Sequence, residues 1–210
     1  KFVLSQGAND VPGAMAFSQL QQTAETAQVM ARFAQIQPDD HAKYLLTSGS
    51  TGSPKVVINT HRMLCANQQM MVQVLPFLKE KKPVLLHWLP WSHTFGSNHN
   101  FNMVLANGGT MYIDDGRPVP GLIEKTVRNL REVPSTLHFN VPHGLGMLMT
   151  YLENDEELAR QVLGSLRGVF YAGAALPQST WERLQKVATC VKGAPLWLTT
   201  SWGSTETAPA

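Results

Sequence analysis

Residues 47–55 read Thr-Ser-Gly-Ser-Thr-Gly-Ser-Pro-Lys, and this stretch decides how the rest of the chain is interpreted. It holds five hydroxyl side chains, two glycines, one proline and a terminal lysine, and no large apolar group. Such a segment cannot pack a core. Glycines let backbone N–H groups approach a ligand closely, hydroxyls add donors, and Lys55 adds a positive charge. The stretch therefore predicts a loop that wraps a triphosphate or a similar anion.

Apolar runs on both sides of this loop predict two strands that hold it. The run before it is Tyr44-Leu45-Leu46, and the run after it is Val56-Val57-Ile58. The alternative is a flexible Gly/Ser hairpin tip. A plain linker, however, needs neither Pro54 nor a lysine at the start of the following strand.

The loop differs from the common phosphate loop. A Walker loop has four residues between its two glycines, whereas only Ser50 and Thr51 separate Gly49 from Gly52. A P-loop phosphotransferase also needs a lysine followed directly by serine or threonine after the second glycine, and the sequence lacks this pair. This class is therefore the least favoured.

Composition sets the remaining limits. The 210 residues suffice for one substantial α/β domain or part of a larger one, and 43% of them are apolar. A net charge of +2 is too small to indicate nucleic acid or a strongly anionic membrane as a partner. Cys65 and Cys190 form no paired motif, and no run is apolar enough to span a bilayer, so we expect a cytoplasmic protein. The oligomeric state stays open.

Strand and helix patterns alternate along most of the chain. Residues 1–40 form a polar lead-in segment with one expected helix over 17–36, and residues 41–210 form the central region. There, Thr60 caps an expected helix from 61 to about 78, and Val84 to Leu89 reads as a buried strand. Further strands are expected at 110–113, 136–141, 168–172 and 196–201, and helices at 100–106, 121–132, 144–152, 156–163 and 178–188. The alternation predicts an α/β fold with a mainly parallel sheet flanked by helices.

Polar clusters follow three of these strands, at the sheet edge where ligands bind in such folds. They span residues 90–96, 171–177 and 199–207. Small residues in the second cluster allow a flat ring to lie against the backbone. The third combines Trp202, Thr205 and Glu206, which suits an adenine base and a metal beside phosphates.

These motifs together resemble the adenylate-forming superfamily, which includes acyl- and aryl-CoA synthetases, luciferases and peptide-synthetase adenylation domains. Residues 44–55 are similar to its signature loop, 89–96 to its aromatic/histidine motif, 173–177 to its adenine-side motif, and 202–206 to its Gly-x-Thr-Glu motif. The stretches 59–69, 88–102 and 113–116 resemble feruloyl-CoA synthase-like members most closely. The fold implied is part of the large N-terminal domain of such an enzyme.

The resemblance implies that ATP activates a carboxylic acid as an acyl-adenylate, and that coenzyme A then displaces AMP to form a thioester. A hydroxycinnamate- or ferulate-like acid is the implied substrate, with fatty acids as the alternative. The residues implied to hold the β- and γ-phosphates are Thr47, Ser48, Gly49, Ser50, Thr51, Gly52 and Lys55.

The later motifs carry the other implied roles. Thr205 donates to the α-phosphate, and Glu206 binds Mg²⁺. Trp202 stacks on adenine, and Gly203 and Ser204 belong to the same nucleotide-binding turn. The adenine slot is lined by Gly173, Ala174 and Ala175.

His93 is implied to lie near the substrate carboxylate, although it can also be a strand-end residue without a special role. A metal site made of His87, His93 and His99 is disfavoured, because their spacing matches no zinc pattern. The aromatic residues Trp91, Phe95 and Phe101 shape either an acyl pocket or plain core, and both interpretations stay open.

The resemblance covers only the central part of the family's N-terminal domain. It stops before the ribose-binding aspartate, the hinge and the C-terminal domain, so little or no activity is expected from the 210 residues alone. A nucleotide-binding module without catalysis remains the second hypothesis. The thiol acceptor and the particular acid are not readable from these residues.

Overall fold

The computed structural model describes residues 2–4, 11–47 and 53–209, and the chain divides into two compact units, 1–40 and 41–210. In the first unit, strand β1 (Phe2–Leu4) pairs in parallel with β2 (Ala14–Ala16), and helices α1 (Phe17–Gln21) and α2 (Ala27–Phe33) follow. The single helix expected over 17–36 is thus two. The break arises because Thr26 is extended, with φ −118° and ψ 158°, and begins α2 as its N-cap.

The second unit opens with an antiparallel hairpin. Strand β3 (His41–Thr47) pairs with β4 (Lys55–Thr60), and Thr47 lies opposite Lys55 in the register. The two strands expected around the hydroxyl-rich stretch are therefore confirmed. Residues 48–52 of that stretch lie outside the described residues.

A parallel sheet forms the centre of the second unit. Strand β5 (Val84–His87) pairs in parallel with β6 (Thr110–Ile113). Strands β7 (Leu137–Asn140), β8 (Gly168–Tyr171) and β9 (Leu198–Thr200) form a second parallel set in that order. The Thr136 amide donates to the Val84 carbonyl at 2.9 Å, which joins the two sets at the starts of β7 and β5. The predicted mainly parallel α/β fold is confirmed.

Helices connect these strands. They are α3 (His61–Val74), α4 (Asn102–Ala106), α5 (Ile123–Glu132), α6 (Pro142–Asn154), α7 (Glu156–Ser165) and α8 (Gln178–Lys192). Helix α3 begins at the Thr60 cap, whose side chain accepts from the Met63 amide at 3.3 Å. It ends at Val74 rather than near Leu78, because Pro76 lacks an N–H and restricts Leu75.

Apolar clusters cover both faces of the sheet. Successive strand residues point to opposite faces. Leu85 accordingly packs in a cluster that contains Met71 of α3, whereas Leu86 packs in one formed mainly by α5, α6, α7 and α8. Helices therefore lie on both faces and leave the strand ends open for a ligand. Among the helices of the described residues, none has both the length and the hydropathy required to cross a membrane.

One element departs from the expected pattern. The helix expected to begin at Asn100 begins five residues earlier, as a π-helix over Phe95–Phe101 that continues directly into α4. Gly96 permits this start, because a Cβ atom there would lie 2.8 Å from the Leu89 carbonyl oxygen and closer still to that of Pro90. The wide turn buries four consecutive polar residues, Ser97, Asn98, His99 and Asn100.

Candidate functional site

A cleft of about 1110 Å³ opens where β5, β8 and β9 end and where the hairpin loop begins. Its size suits a nucleotide with a small acid. The residues singled out from the sequence that line it are Thr47, Lys55, His93, Gly173, Ala174, Trp202, Gly203, Ser204, Thr205 and Glu206. Ala175 does not line it, and Ser48, Gly49, Ser50, Thr51 and Gly52 lie outside the described residues. Segments distant in sequence thus meet at one opening.

The hairpin contributes a hydroxyl and a cation at the two ends of its loop. Thr47 ends β3 and Lys55 begins β4, and the two residues face each other across the hairpin. Both residues line the cleft, so the described ends of the two strands lie at its rim. Lys55 is exposed, and its ammonium group can reach an anionic ligand there.

The segment after β9 folds into a self-bonded turn. Residues Thr205–Thr207 form a 3₁₀ turn, and the Ser204 amide donates to the Pro209 carbonyl at 2.8 Å and to Thr207 Oγ1 at 2.9 Å. These bonds leave the Glu206 side chain exposed at the cleft. Trp202, three residues before Thr205, is 81% exposed, which is unusual for an indole and leaves its ring free to stack on a ligand.

The segment after β8 gives the cleft a wall of small residues. Gly173 has φ +93°, a conformation that favours glycine, and a Cβ atom there would meet only Val141, at 3.9 Å. Ala174 follows it along the wall. Such a surface lets a planar ring approach the backbone. Ala175 is exposed outside the cleft lining.

His93 lies in the turn after β5, and a hydrogen bond sets its tautomer. The Phe95 amide donates to His93 Nδ1 at 3.1 Å, so the neutral ring carries its proton on Nε2. The Ser97 hydroxyl also donates to the His93 carbonyl at 3.1 Å and ties the turn to the π-helix. His93 can therefore offer an Nε2–H donor to a carboxylate in the cleft.

Aromatic rings form one part of the cleft. Phe95, His99 and Phe170 all line it, and the His99 ring lies 5.6 Å from that of Phe95 and 5.0 Å from that of Phe170 between centroids. Burial lowers the pKa of His99 to about 4, so its ring is neutral near pH 7. Of the three aromatic candidates from the sequence, Phe95 both packs in the apolar core and lines the cleft. Trp91 and Phe101 stack on each other at 4.8 Å outside the lining.

A metal would have to rely on oxygen donors in this cleft. Within residues 2–4, 11–47 and 53–209, no group of three His, Cys, Asp or Glu side chains is placed to hold an ion. Glu206 and the neighbouring Thr205 offer hard oxygen donors. Mg²⁺ is commonly bound by one or two carboxylates together with substrate phosphates. The residues present therefore fit Mg²⁺ held jointly with ATP, and they do not fit an all-protein zinc site.

Three residues beside the cleft were not singled out as functional from the sequence. Asn59 and Asn98 are fully buried, and Lys43 Nζ donates to Asn98 Oδ1 at 2.9 Å. Burial lowers the pKa of Lys43. One signal was available in the sequence, since Asn59 follows the apolar run Val56-Val57-Ile58 directly, where a polar amide in a strand requires a partner.

The fold and the cleft define an α/β domain with a ligand-sized cleft at the carboxyl ends of its parallel strands. Residues 4–210 match the family model of the AMP-binding enzyme, and the chain belongs to this family. A propanoyl:CoA ligase of Rhodococcus jostii, named for an octahydroindenyl acid, is 26% identical over 185 residues. That alignment covers 85% of this chain and 33% of the relative. The resemblance to the adenylate-forming superfamily is thereby confirmed.

A second curated relative agrees with this family, and a solved structure shares the fold. A long-chain-fatty-acid–CoA ligase of Escherichia coli is 29% identical over 174 residues, covering 82% of this chain and 28% of the relative. The chain thus spans about a third of the length of both curated relatives. A solved structure of McyG A-PCP with phenylalanyl-adenylate superimposes with a TM-score of 0.72 over 96% of this chain and 36% of that one, at 16% identity.

Proposed function

We propose that these residues form part of an acid–thiol ligase that uses ATP to activate a carboxylic acid and then transfers the acyl group to coenzyme A. The observation that carries the proposal is the shared cleft. A hydroxyl and lysine pair, a histidine, a wall of small residues, an exposed indole and a carboxylate converge there. Separate roles in packing give no reason for these residues to meet. Their convergence is what binding of one nucleotide and one acid requires.

Each group has a role in the first half-reaction. The acid's carboxylate attacks the α-phosphorus, and pyrophosphate leaves, so the site must bring two anions together. Thr47, Lys55 and the loop 48–52 hold the β- and γ-phosphates and draw charge toward the leaving group. Thr205 donates to the α-phosphate, where negative charge accumulates. His93, with its proton on Nε2, orients the incoming carboxylate.

The nucleoside end of ATP has its own surface in this proposal. Trp202 stacks on the adenine, and Gly203 and Ser204 continue the same turn. Gly173, Ala174 and Ala175 form the slot on the other side, with Gly173 and Ala174 lining the cleft directly. Glu206 holds Mg²⁺ together with the phosphates. That ion supplies positive charge that offsets the reacting oxygens.

The acid is proposed to be aromatic, of the hydroxycinnamate or ferulate type. The aromatic lining of Trp88, Phe95, His99 and Phe170 supports this class, since flat rings pack well against flat rings. The two relatives named above act on a fatty acid and on an octahydroindenyl acid, so an aliphatic substrate is the competing outcome.

The nucleotide site is tested by measuring ATP affinity with and without Mg²⁺. The measurement uses calorimetry on the protein that carries these residues. We expect Mg²⁺ to strengthen ATP binding and Glu206→Gln to abolish most of that gain. Glu182→Gln is the matched control, because Glu182 is an exposed carboxylate on α8 outside the cleft lining. Binding that ignores Mg²⁺ and is unchanged in Glu206→Gln supports a nucleotide-binding module instead.

Pyrophosphate release by the full-length protein that carries these residues, with ferulate, coumarate, benzoate and a series of fatty acids, tests the substrate class. We expect turnover with the hydroxycinnamates first. Release with fatty acids alone overturns the aryl proposal and leaves the ligase proposal standing. No release with any acid, despite Mg²⁺-dependent ATP binding, overturns the ligase activity.

A further inference from the structure

A continuous chain of hydrogen bonds runs from the hairpin to the turn that holds Glu206. Lys43 Nζ donates to Asn98 Oδ1 at 2.9 Å, and Asn98 Nδ2 donates to Asn59 Oδ1 at 2.7 Å. Asn59 Nδ2 then donates to the Thr205 backbone carbonyl at 3.1 Å. The four residues come from β3, the π-helix, β4 and the 3₁₀ turn. This chain of bonds is called the amide relay below.

The direction of every bond in the amide relay is fixed by its two ends. An ammonium group can only donate, and a backbone carbonyl can only accept. Asn98 must therefore turn its oxygen toward Lys43 and its NH₂ toward Asn59. Asn59 must in turn direct its own NH₂ at Thr205. A single orientation of both amides satisfies the whole chain.

The burial of the amide relay makes this orientation costly to lose. Asn59 and Asn98 are both 0% exposed, and a buried amide without a partner is strongly unfavourable. Gln68 Nε2 also donates to the Asn98 carbonyl at 3.0 Å and holds the π-helix at this point. Solvent therefore cannot replace a lost partner, and the Thr205 carbonyl has a well-defined position relative to the hairpin.

We propose that Asn59 and Asn98 are positioning residues that hold the Thr205–Glu206 turn in register with the phosphate-binding hairpin. Lys43 orders the relay from its far end. Asn59 lies on β4, the strand that begins with Lys55, so the relay connects the two parts of the proposed phosphate site. This inference rests on the proposed function, because the turn is taken to hold the α-phosphate and Mg²⁺.

Asn59→Asp tests the relay with almost no change in side-chain shape. Burial raises the pKa of the introduced carboxyl, so the variants are measured at about pH 9.5, where the ionised carboxylate faces the Thr205 carbonyl as acceptor against acceptor. Asn107→Asp is the matched control, since Asn107 Nδ2 also donates to a backbone carbonyl, that of Met103 at 2.9 Å, away from the cleft lining.

Two measurements separate failure of this inference from failure of the proposed function. The first is the ¹³C resonance of the Thr205 carbonyl without any ligand. It should shift in Asn59→Asp and stay in place in Asn107→Asp. An unmoved resonance in Asn59→Asp overturns the relay, whatever the protein binds.

The second measurement is ATP affinity with and without Mg²⁺. In Asn59→Asp the Mg²⁺-dependent part should fall by about tenfold or more, the equivalent of one well-placed hydrogen bond. Unchanged Mg²⁺ dependence in a folded variant overturns the inference. A wild-type protein that binds ATP without any Mg²⁺ effect overturns the proposed function instead.

Lys43→Met keeps the relay testable if Asn59→Asp does not fold. It removes the donor at the far end while preserving an unbranched side chain of similar length. We expect about a threefold loss of Mg²⁺-dependent affinity, because the Asn98 amide oxygen then keeps only the longer bond from Ser97 Oγ at 3.4 Å and its orientation is held less strongly. Lys43→Arg, which restores a donor, should recover most of the loss. Equal affinities for Lys43→Met and wild type overturn the role assigned to Lys43 and the relay with it.

Discussion

Gly96 lies against the Leu89 carbonyl oxygen so closely that a Cβ atom on it would be only 2.8 Å away. This approach lets the π-helix start immediately after the turn that carries His93. We predict that Gly96→Ala displaces the turn and destabilises the fold by about 1–3 kcal/mol, the usual range for overpacking a tight site. The free energy of unfolding in urea measures the effect.

Gly146→Ala in α6 is the control for that change. A Cβ atom at Gly146 would meet only Thr180 Oγ1, at 3.9 Å, and alanine favours a helix interior over glycine. The control should therefore leave stability unchanged or raise it. A Gly96→Ala variant as stable as this control would contradict the packing argument.

Trp202 should contribute to binding the base and not the phosphates. Because its indole is 81% exposed in the cleft, Trp202→Ala removes a stacking surface without opening the core. We expect ATP affinity to fall about tenfold or more, from a stacking contribution of about 1–3 kcal/mol. Affinity for inorganic tripolyphosphate should not change. Trp181→Ala, on α8 outside the cleft lining, controls for loss of an indole, and an equal effect there would refute the assignment.

Asp114 should contribute strongly to the stability of the fold, whereas the neighbouring Asp115 should contribute little. Its buried carboxylate accepts from the Gly116 amide at 2.9 Å, Thr126 Oγ1 at 2.6 Å and Asn129 Nδ2 at 2.8 Å. Asp114→Ala leaves these donors unpaired and should cost about 2–4 kcal/mol of unfolding free energy. Asp115→Ala removes exposed ion pairs with Lys125 and Arg128 and one exposed hydrogen bond from Asn129 Nδ2 at 3.3 Å, and it should change little. Thermal unfolding of both variants checks the contrast.

Three buried histidines should make the fold sensitive to mild acid. Burial lowers the pKa of His87, His99 and His138 from 6.5 to about 4 in each case. Between these values the unfolded chain binds a proton at each ring and the folded chain does not. Stability is therefore complete above pH 6.5 and is lost progressively as the pH falls toward 4.

The slope of that loss is measurable. For each pH unit of acidification, each histidine lowers the free energy of unfolding by at most about 1.4 kcal/mol. The three histidines together lower it by at most roughly 4 kcal/mol per pH unit. Urea unfolding at several pH values between 4 and 7 gives the profile. A profile that stays flat between pH 7 and pH 5 would show that these rings are not buried as neutral groups.

Much of the fold was predictable because its signals are local. The apolar runs around Leu45 and Val57 gave the hairpin strands, and Thr60 marked the start of α3. The order of strands and helices then predicted a mainly parallel sheet. Local signals were less effective at element ends, where Pro76 shortened α3. They also missed the start of the π-helix, which depends on how closely Gly96 packs against the Leu89 and Pro90 carbonyl oxygens.

The candidate site was likewise predictable from the sequence only in part. Its hydroxyls, cation, carboxylate and indole were identifiable because each occurs in a short polar cluster that no core could contain, as with Trp202 and Glu206. Asn59 and Asn98 were not identifiable as partners, because they are 39 residues apart and meet only in the folded chain. The sequence also did not reveal that the Phe95 ring lines the cleft whereas the Trp91 ring does not.

The sequence by itself determined which chemical groups the protein can bring to a nucleotide and the order of elements that carry them, because composition and periodicity are local properties. Only the tertiary structure decided that Lys55, His93 and Glu206 share one cleft, and that buried amides join the hairpin to the turn beyond β9. These relationships depend on packing between distant segments, where the cost of a buried, unpaired amide selects one arrangement.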